Sequence, residues 1–233
     1  MKKILLLTAA VVLTMTGLFA QKGISFGLRA IPTLNFVSMS DGDSLYSYAS
    51  SGTKLGIGFG PSVRYKFSDN FNVDVSGIFT WQKFGINQTN ETTNPVPVNK
   101  TEDFKVQFLQ IPLNFNGQFD VAQDFQALIN FGVGTGIKLK SSRVITDNTN
   151  PELYSTEYKP TSVLNFIDFY LTAGAGAVYN IEDNLHLSLT VQYNNGIIDG
   201  WLNNKNYDIH STIEDLTLKH KNVAFSLAFY IDL

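Results

Sequence analysis

The stretch TKLGIGFGPSVRYKF, residues Thr53 to Phe67, decides the fold. Leu55, Ile57, Phe59, Pro61, Val63, Tyr65 and Phe67 share one parity; Lys54, Gly56, Gly58, Gly60, Ser62, Arg64 and Lys66 share the other. An alternation of period two over so many residues specifies a β-strand with one bulky apolar face and one small or polar face. If the apolar face points inward, the chain builds a soluble barrel or sandwich. If it points outward, the solvent it meets is lipid.

The pattern recurs along the chain. GISFGLRAIPTLNFV (residues 23–37), FNVDVSGIFTWQ (71–82), LQIPLNFNGQF (109–119), FQALINFGVGTGIKLK (125–140), FIDFYLTAGAGAVYNI (166–181), LHLSLTVQYNN (185–195) and NVAFSLAFYIDL (222–233) all alternate in the same way. Together they predict eight strands. Phe104, Val106 and Phe108 fall on the parity opposite to Leu109, Ile111 and Leu113, which predicts a β-bulge near Phe108–Leu109. Short connections (68–70, 120–124, 182–184) alternate strictly with long polar ones (38–52, 88–103, 141–165, 200–219). With an even strand number, all long loops then emerge at one end and both termini lie at the other.

Strand length and face chemistry choose the solvent. The segments run about 11–17 residues, against roughly 9–11 for a tilted membrane-crossing strand and 5–6 for a typical soluble one. An eight-stranded barrel has an interior just wide enough for side chains. Glycines and polar residues suit that interior, and the large apolar residues then face lipid. The expected fold is all-β: an eight-stranded antiparallel up-and-down transmembrane β-barrel. Pro32, Pro61 and Pro112 run against this, because each removes a ladder hydrogen bond and a closed barrel has no edge to hide the loss. Pro112 lies close to the expected bulge; Pro32 and Pro61 have no comparable account in the sequence.

Lys2 and Lys3, the apolar run ILLLTAAVVLTMTGLF and Ala20 describe a cleaved signal peptide over residues 1–20, followed by a barrel domain over 21–233. The expected location is the outer membrane, with long loops extracellular and termini periplasmic. There is no cysteine, which excludes a disulfide framework, thiolate chemistry and a lipidated cysteine anchor. The three histidines, His186, His210 and His220, fall in separate segments, so neither a metal site nor any other cofactor is expected. The net charge of −3 with no basic run gives no support to nucleic-acid binding.

The elements FGLRAIPTLNFVS, GFGPSVRYKFSDNFNVDVSGIFTWQKFG, FLQIPLNFNGQF and LTAGAGAVYNIEDNLHLSLTVQYNNGI resemble, in order and spacing, the PorT-like outer-membrane β-barrel proteins of the Bacteroidetes. The resemblance implies an outer-membrane eight-stranded barrel. It implies no catalytic motif. The family takes its name from a member tied to the type IX secretion route, which leaves a secretion-related role open. One departure is the C-terminus, which ends in Leu233 where such barrels usually end in an aromatic residue.

Three groups of residues are candidates for function. Arg29, Arg64, Lys66, Asp74, Lys138, Lys140, Asp168 and Asp232 carry inward parity and would either line a selective pore or pair with one another and plug the lumen. In the last long loop, Asp208, His210, Glu214 and Asp215 cluster as a possible hydrolytic or cation site, against the plainer reading of a solvated loop. His186 and Ser188 share a strand face and are similar to the His-x-Ser pair of outer-membrane lipid A deacylases, although the rest of that pattern is absent. No residue is assigned a catalytic role. Lys54, Lys83, Lys105, Lys138, Lys140 and Arg143 gather toward the long-loop end, where cations favour lipopolysaccharide phosphates. The expected partners are thus outer-membrane lipid and lipopolysaccharide, with an envelope protein partner possible and the oligomeric state open. The expected function is a non-enzymatic envelope scaffold, binding platform or accessory subunit, with a narrow passive channel as the alternative and a lipid-modifying enzyme behind it.

Overall fold

The computed structural model describes residues 23–40, 46–90, 99–147, 158–200 and 217–233. The alternating segments form β1 (Ile24–Ser40), β2 (Tyr46–Ser50), β3 (Lys54–Lys66), β4 (Phe71–Ser76), β5 (Ile78–Asn90), β6 (Asn99–Ala122), β7 (Phe125–Asp147), β8 (Lys159–Pro160), β9 (Ile167–Glu182), β10 (Leu185–Gly196) and β11 (Thr217–Asp232). They make eight staves. β2 continues the line of β3, β4 and β5 are one stave broken at Gly77, and β8 is a short flap on β7. Every pairing is antiparallel, and the β1–β11 ladder from Ser25↔Asp232 to Ser40↔Thr217 closes the ring. The eight-stranded up-and-down barrel expected from the alternation is the fold.

The faces sort as the parity requires. Leu28 and Leu55 are each 71 % exposed and Phe131 62 %, within a belt of outward Leu, Ile, Val and Phe that continues around the staves. Only hydrocarbon can solvate so large a continuous apolar surface without an aggregation penalty. Phe67, Phe71, Phe115 and Phe119 cluster at the short-turn end with ring centroids 5.7–6.2 Å apart, while Phe59 stacks on Trp81 at 5.5 Å toward the other end. These are the aromatic girdles of a membrane-spanning barrel.

The long connections are shorter than the sequence suggests. β1 runs on to Ser40, β5 to Asn90 and β7 to Asp147, and β2 pairs with the top of β5 from Ser50↔Ile86 to Tyr46↔Asn90. β6 has 24 residues, roughly 80 Å of strand at about 3.3 Å per residue, against a hydrocarbon core of about 30 Å. Polar strand therefore continues well beyond the apolar belt. The sequence reads this part as loop because its alternation of apolar and polar residues fades once neither face meets lipid.

The expected bulge is displaced. β6 keeps unbroken register with β5 through Phe79↔Leu109, Thr80↔Phe108 and Trp81↔Gln107. Against β7 the register shifts between Gln107↔Lys140 and Phe108↔Lys138, so the extra residue is Leu139 of β7. Phe104, Val106 and Phe108 do not slip to the lipid side; they point into the barrel and are buried.

The prolines are absorbed by gaps that do not shift the register. The β1–β11 ladder skips Ile31 and Pro32 between Ala30↔Leu227 and Thr33↔Ala224. Pro61 accepts a 3.0 Å hydrogen bond from the Gly77 N–H but has no N–H to return, and the register sets Pro112 opposite Ser76 on the other side of the same stave. Two missing donors thus flank one point, and there the stave divides into β4 and β5. The Gly77 carbonyl leans over Gly60, where a Cβ would lie 1.9 Å from its oxygen. A Cβ on Gly77 itself would meet nothing within 4 Å. Gly60→Ala should therefore lower barrel stability by about 1–3 kcal/mol through overpacking, while Gly77→Ala leaves it nearly unchanged. Thermal unfolding in detergent, followed by gel migration of folded and unfolded forms, measures both.

Candidate functional site

The interior is filled at two levels. The lower level, toward the short turns, is a charged network. Arg29, 6 % exposed, donates through Nη2 to Asp74 Oδ1 at 3.0 Å and to the Tyr230 hydroxyl at 2.6 Å. Asp74 also accepts from Asn114 Nδ2 at 3.2 Å and Asn116 Nδ2 at 2.7 Å, and Asn116 reaches Asn72 at 2.8 Å. The Arg64 guanidinium lies 3.6 Å from the centroid of the Tyr230 ring. Ser62 bridges the Tyr230 hydroxyl and Ser76 at 3.0 and 2.9 Å. Each charge is thereby held by an opposite charge, an aromatic face or an amide, as buried ions require.

Tyr230 is the hub that sequence reading missed. Its even number in an odd-outward strand places it inside, so parity carried the signal, but an aromatic residue was not expected in a narrow lumen. It fits because Gly27 is its cross-strand partner: a Cβ on Gly27 would lie 2.7 Å from the Tyr230 ring. Tyr170 repeats the arrangement over Gly134, where a Cβ would fall 2.2 Å from the ring. The small face of the alternation is thus space reserved for large side chains of neighbouring staves.

The upper level is apolar. Val37, Phe84, Ile86, Phe104, Val106, Phe108, Val163, Leu164 and Leu218 form a buried cluster inside the barrel near the long-loop end. Phe84 and Phe104 stack at 5.0 Å. Val163 and Leu164 come from a segment that the sequence reads as part of a polar loop; it folds back into the mouth. Ser141 holds it through the Thr161 carbonyl at 2.6 Å, and Asn165 bonds to the carbonyls of Gly200 and Asp199 at 2.8 and 2.5 Å. Lys138 donates to the Leu164 carbonyl. His220 joins the levels: its ring lies 4.7 Å from Phe84, and its Nδ1 is 3.3 Å from Asp168 Oδ2. Buried Asn130 and Thr172, in β7 and β9, carry side-chain polar atoms without a protein partner, so this part of the interior calls for solvent.

Of the lumenal candidates, Arg29, Arg64 and Asp74 meet in one network, Asp168 and Lys138 support the upper level, and Lys66 and Asp232 lie elsewhere. Lys66 is exposed at the rim and, with Arg64, Gln118, Asn180, His186 and Asp232, lines a polar mouth of about 420 Å³ at the short-turn end. Lys140 is a correction: the Leu139 bulge turns it from the lumen to the outer wall, where it is exposed. His186 has both ring nitrogens engaged, by Asn180 Oδ1 at 2.8 Å and Asp232 Oδ2 at 2.9 Å. That leaves it no nitrogen to activate Ser188 as a nucleophile. Asp208, His210, Glu214 and Asp215 lie outside the described residues. Among the described residues no three His, Cys, Asp or Glu side chains converge to hold a metal ion.

The family described as outer membrane protein beta-barrel domain matches residues 19–200. No curated protein matches the chain by sequence. Among solved structures, the chain is similar to OprG from Pseudomonas aeruginosa (13 % identity, 91 % of this chain and 98 % of that one, TM-score 0.49). It is also similar to the Neisserial surface protein A, NspA (11 %, 91 % and 100 %, 0.43). A third likeness is to Ail, the attachment invasion locus protein of Yersinia pestis (14 %, 89 % and 99 %, 0.34).

Removing one partner of the charged network should be costly. Asp74→Ala leaves Arg29 buried without its carboxylate and should destabilise the barrel by about 3–5 kcal/mol. Asp74→Asn, which keeps an acceptor, should cost less. Urea unfolding of the two variants in detergent micelles gives the comparison.

Proposed function

We propose that this chain, which belongs to the outer membrane protein β-barrel domain family and resides in the outer membrane, is a non-enzymatic barrel whose work is done by its outer surfaces. In this reading it is an envelope scaffold, a binding platform or an accessory subunit of an outer-membrane assembly. Export by a signal peptide over residues 1–20 and kinship with the PorT-like barrels of the Bacteroidetes belong to the same proposal. A secretion-related role would follow from that kinship.

The observation that carries the reading is the filled interior. A passive channel needs a continuous polar path, and the stacked Phe84–Phe104 pair with Val106, Phe108, Leu164 and Leu218 interrupts it near the long-loop end. Below that cap the Arg29–Asp74–Tyr230 network occupies the cross-section with side chains bonded to one another. An enzyme needs a reactive group free to act, and the His186 ring nitrogens are committed to Asn180 and Asp232. The projecting ladders of β5, β6 and β7 instead offer rigid extended backbone beyond the apolar belt, a surface suited to holding a partner.

Affinity isolation of the tagged full chain from native outer membranes in mild detergent should recover a stoichiometric protein partner. Recovery of the barrel alone would remove the accessory-subunit reading. In planar bilayers the native chain should show no steady conductance, whereas combined Phe84→Ala, Phe104→Ala and Phe108→Ala substitution should open discrete conducting events. Steady conductance by the unsubstituted barrel would make it a channel.

A further inference from the structure

On the outer wall of the barrel, Lys83, Lys105 and Lys140 occupy adjacent staves. Lys83 and Lys105 are directly paired across β5 and β6, and Lys140 faces Gln107 across β6 and β7. All three are exposed, flanked on either side along β5 and β6 by the buried residues Gln82, Phe84, Phe104 and Val106, so their side chains leave the wall outward. With staves about 4.8 Å apart, three ammonium groups fall within reach of one small anion. They border a groove of about 260 Å³ together with Trp81, Gln107 and Ser142.

Such an arrangement costs free energy when nothing offsets it, because like charges directly opposite on neighbouring strands repel. Among the described residues no carboxylate pairs with these three lysines. Asp103, two residues from Lys105 along β6, is taken by Lys54, and Glu102 is taken by Arg143 at 3.3 Å. Lys105 rests instead against the Tyr158 ring, with Nζ 3.5 Å from its centroid. Overall composition does not force the cluster either, since the chain carries a net charge of −3. The Leu139 bulge is what brings the third lysine here; without the extra residue, Lys140 would keep its inward parity. Bulges commonly re-aim a side chain at a functional position.

The height of the cluster selects the ligand. Trp81, the top of the apolar belt on β5, lies two residues below Lys83 and opposite Gln107 of β6, and exposed Leu139 lies beside Lys140. The ammonium groups therefore stand at the boundary between hydrocarbon and head groups on the long-loop side, where lysines extend their apolar stems along the belt and their charges into the polar layer. We propose that Lys83, Lys105 and Lys140 form a binding site for the phosphate of a phosphorylated glycolipid in the outer leaflet, with its acyl chains on the apolar wall below. The site rests on the outward orientation of the long-loop end and requires no protein partner.

The test uses the full chain folded in detergent micelles, with lipid binding read by native mass spectrometry. Bisphosphorylated lipid A should be retained, and combined Lys83→Gln, Lys105→Gln and Lys140→Gln substitution should weaken retention by about 10-fold or more, since three charge-assisted contacts are lost. Lys219→Gln, an exposed lysine of β11 on another part of the wall, should change it less than about twofold, as should replacing all three site lysines by arginine. Lipid A stripped of phosphate should bind as weakly as the triple glutamine variant does to the native lipid. Equal retention by the triple glutamine variant, or equal binding of the phosphate-free lipid, would overturn the proposal. Full displacement of the lipid by millimolar inorganic phosphate would overturn it too, by showing a site for a free anion. Heat-modified gel migration of each variant confirms that it is folded.

Discussion

A sheet immersed in hydrocarbon has nowhere to place an unpaired backbone N–H or carbonyl, so the β1–β11 seam is the contact on which everything else rests. Its ladder runs nearly the full length of both strands, and Leu233 extends it by donating its N–H to the Ile24 carbonyl at 3.1 Å. Closure at eight staves sets the bore, and the bore dictates what can lie inside. The same constraint explains the treatment of proline. Missing donors cannot be moved to an edge, so Pro61 and Pro112 are set against opposite sides of one stave, and the defect is confined to Ser76–Gly77.

Inside that fixed bore, filling is a matter of volume and charge together. Glycines on the inward face make room for tyrosines from the next stave, as Gly27 does for Tyr230 and Gly134 for Tyr170. The tyrosines then join the ions. Tyr230 takes a hydrogen bond from Arg29 on its hydroxyl and the charge of Arg64 on its ring, so one side chain compensates two cations. Above, the solution changes from polar pairing to hydrophobic packing, with a returning segment of chain contributing Val163 and Leu164 to a cap. With the upper lumen packed by this cluster, the outer wall, the projecting ladders and the polar mouth at the short-turn end are the surfaces left open among the described residues.

Much of this is legible in the sequence. Alternation located the eight staves, because a strand between two solvents must alternate. It also placed Arg29, Arg64, Asp74 and Asp168 inside. It failed where the solvents cease to differ. Phe104, Val106 and Phe108 break the pattern because the interior they face is itself apolar, so their parity suggested a slip in β6 that does not exist. The irregularity beside them is on β7, where IKLK (residues 137–140) alternates without interruption and gives no sign of an extra residue. For the same reason the inward parity of Lys140 was wrong, and the basic cluster on the outer wall could be read only as a general accumulation of lysine.

The sequence by itself determined the solvent of each face, the number of staves, the order of short and long connections and therefore the membrane-spanning barrel, because these follow from local periodicity and from lengths. Only the tertiary structure decided which inward residues pair, that Tyr230 is their hub, that the lumen is capped by a hydrophobic cluster, and that three lysines share one patch of wall. Those outcomes depend on register between strands far apart in the chain. Register follows from closure of the whole ring and from inserted residues such as Leu139, neither of which leaves a local mark in the alternation.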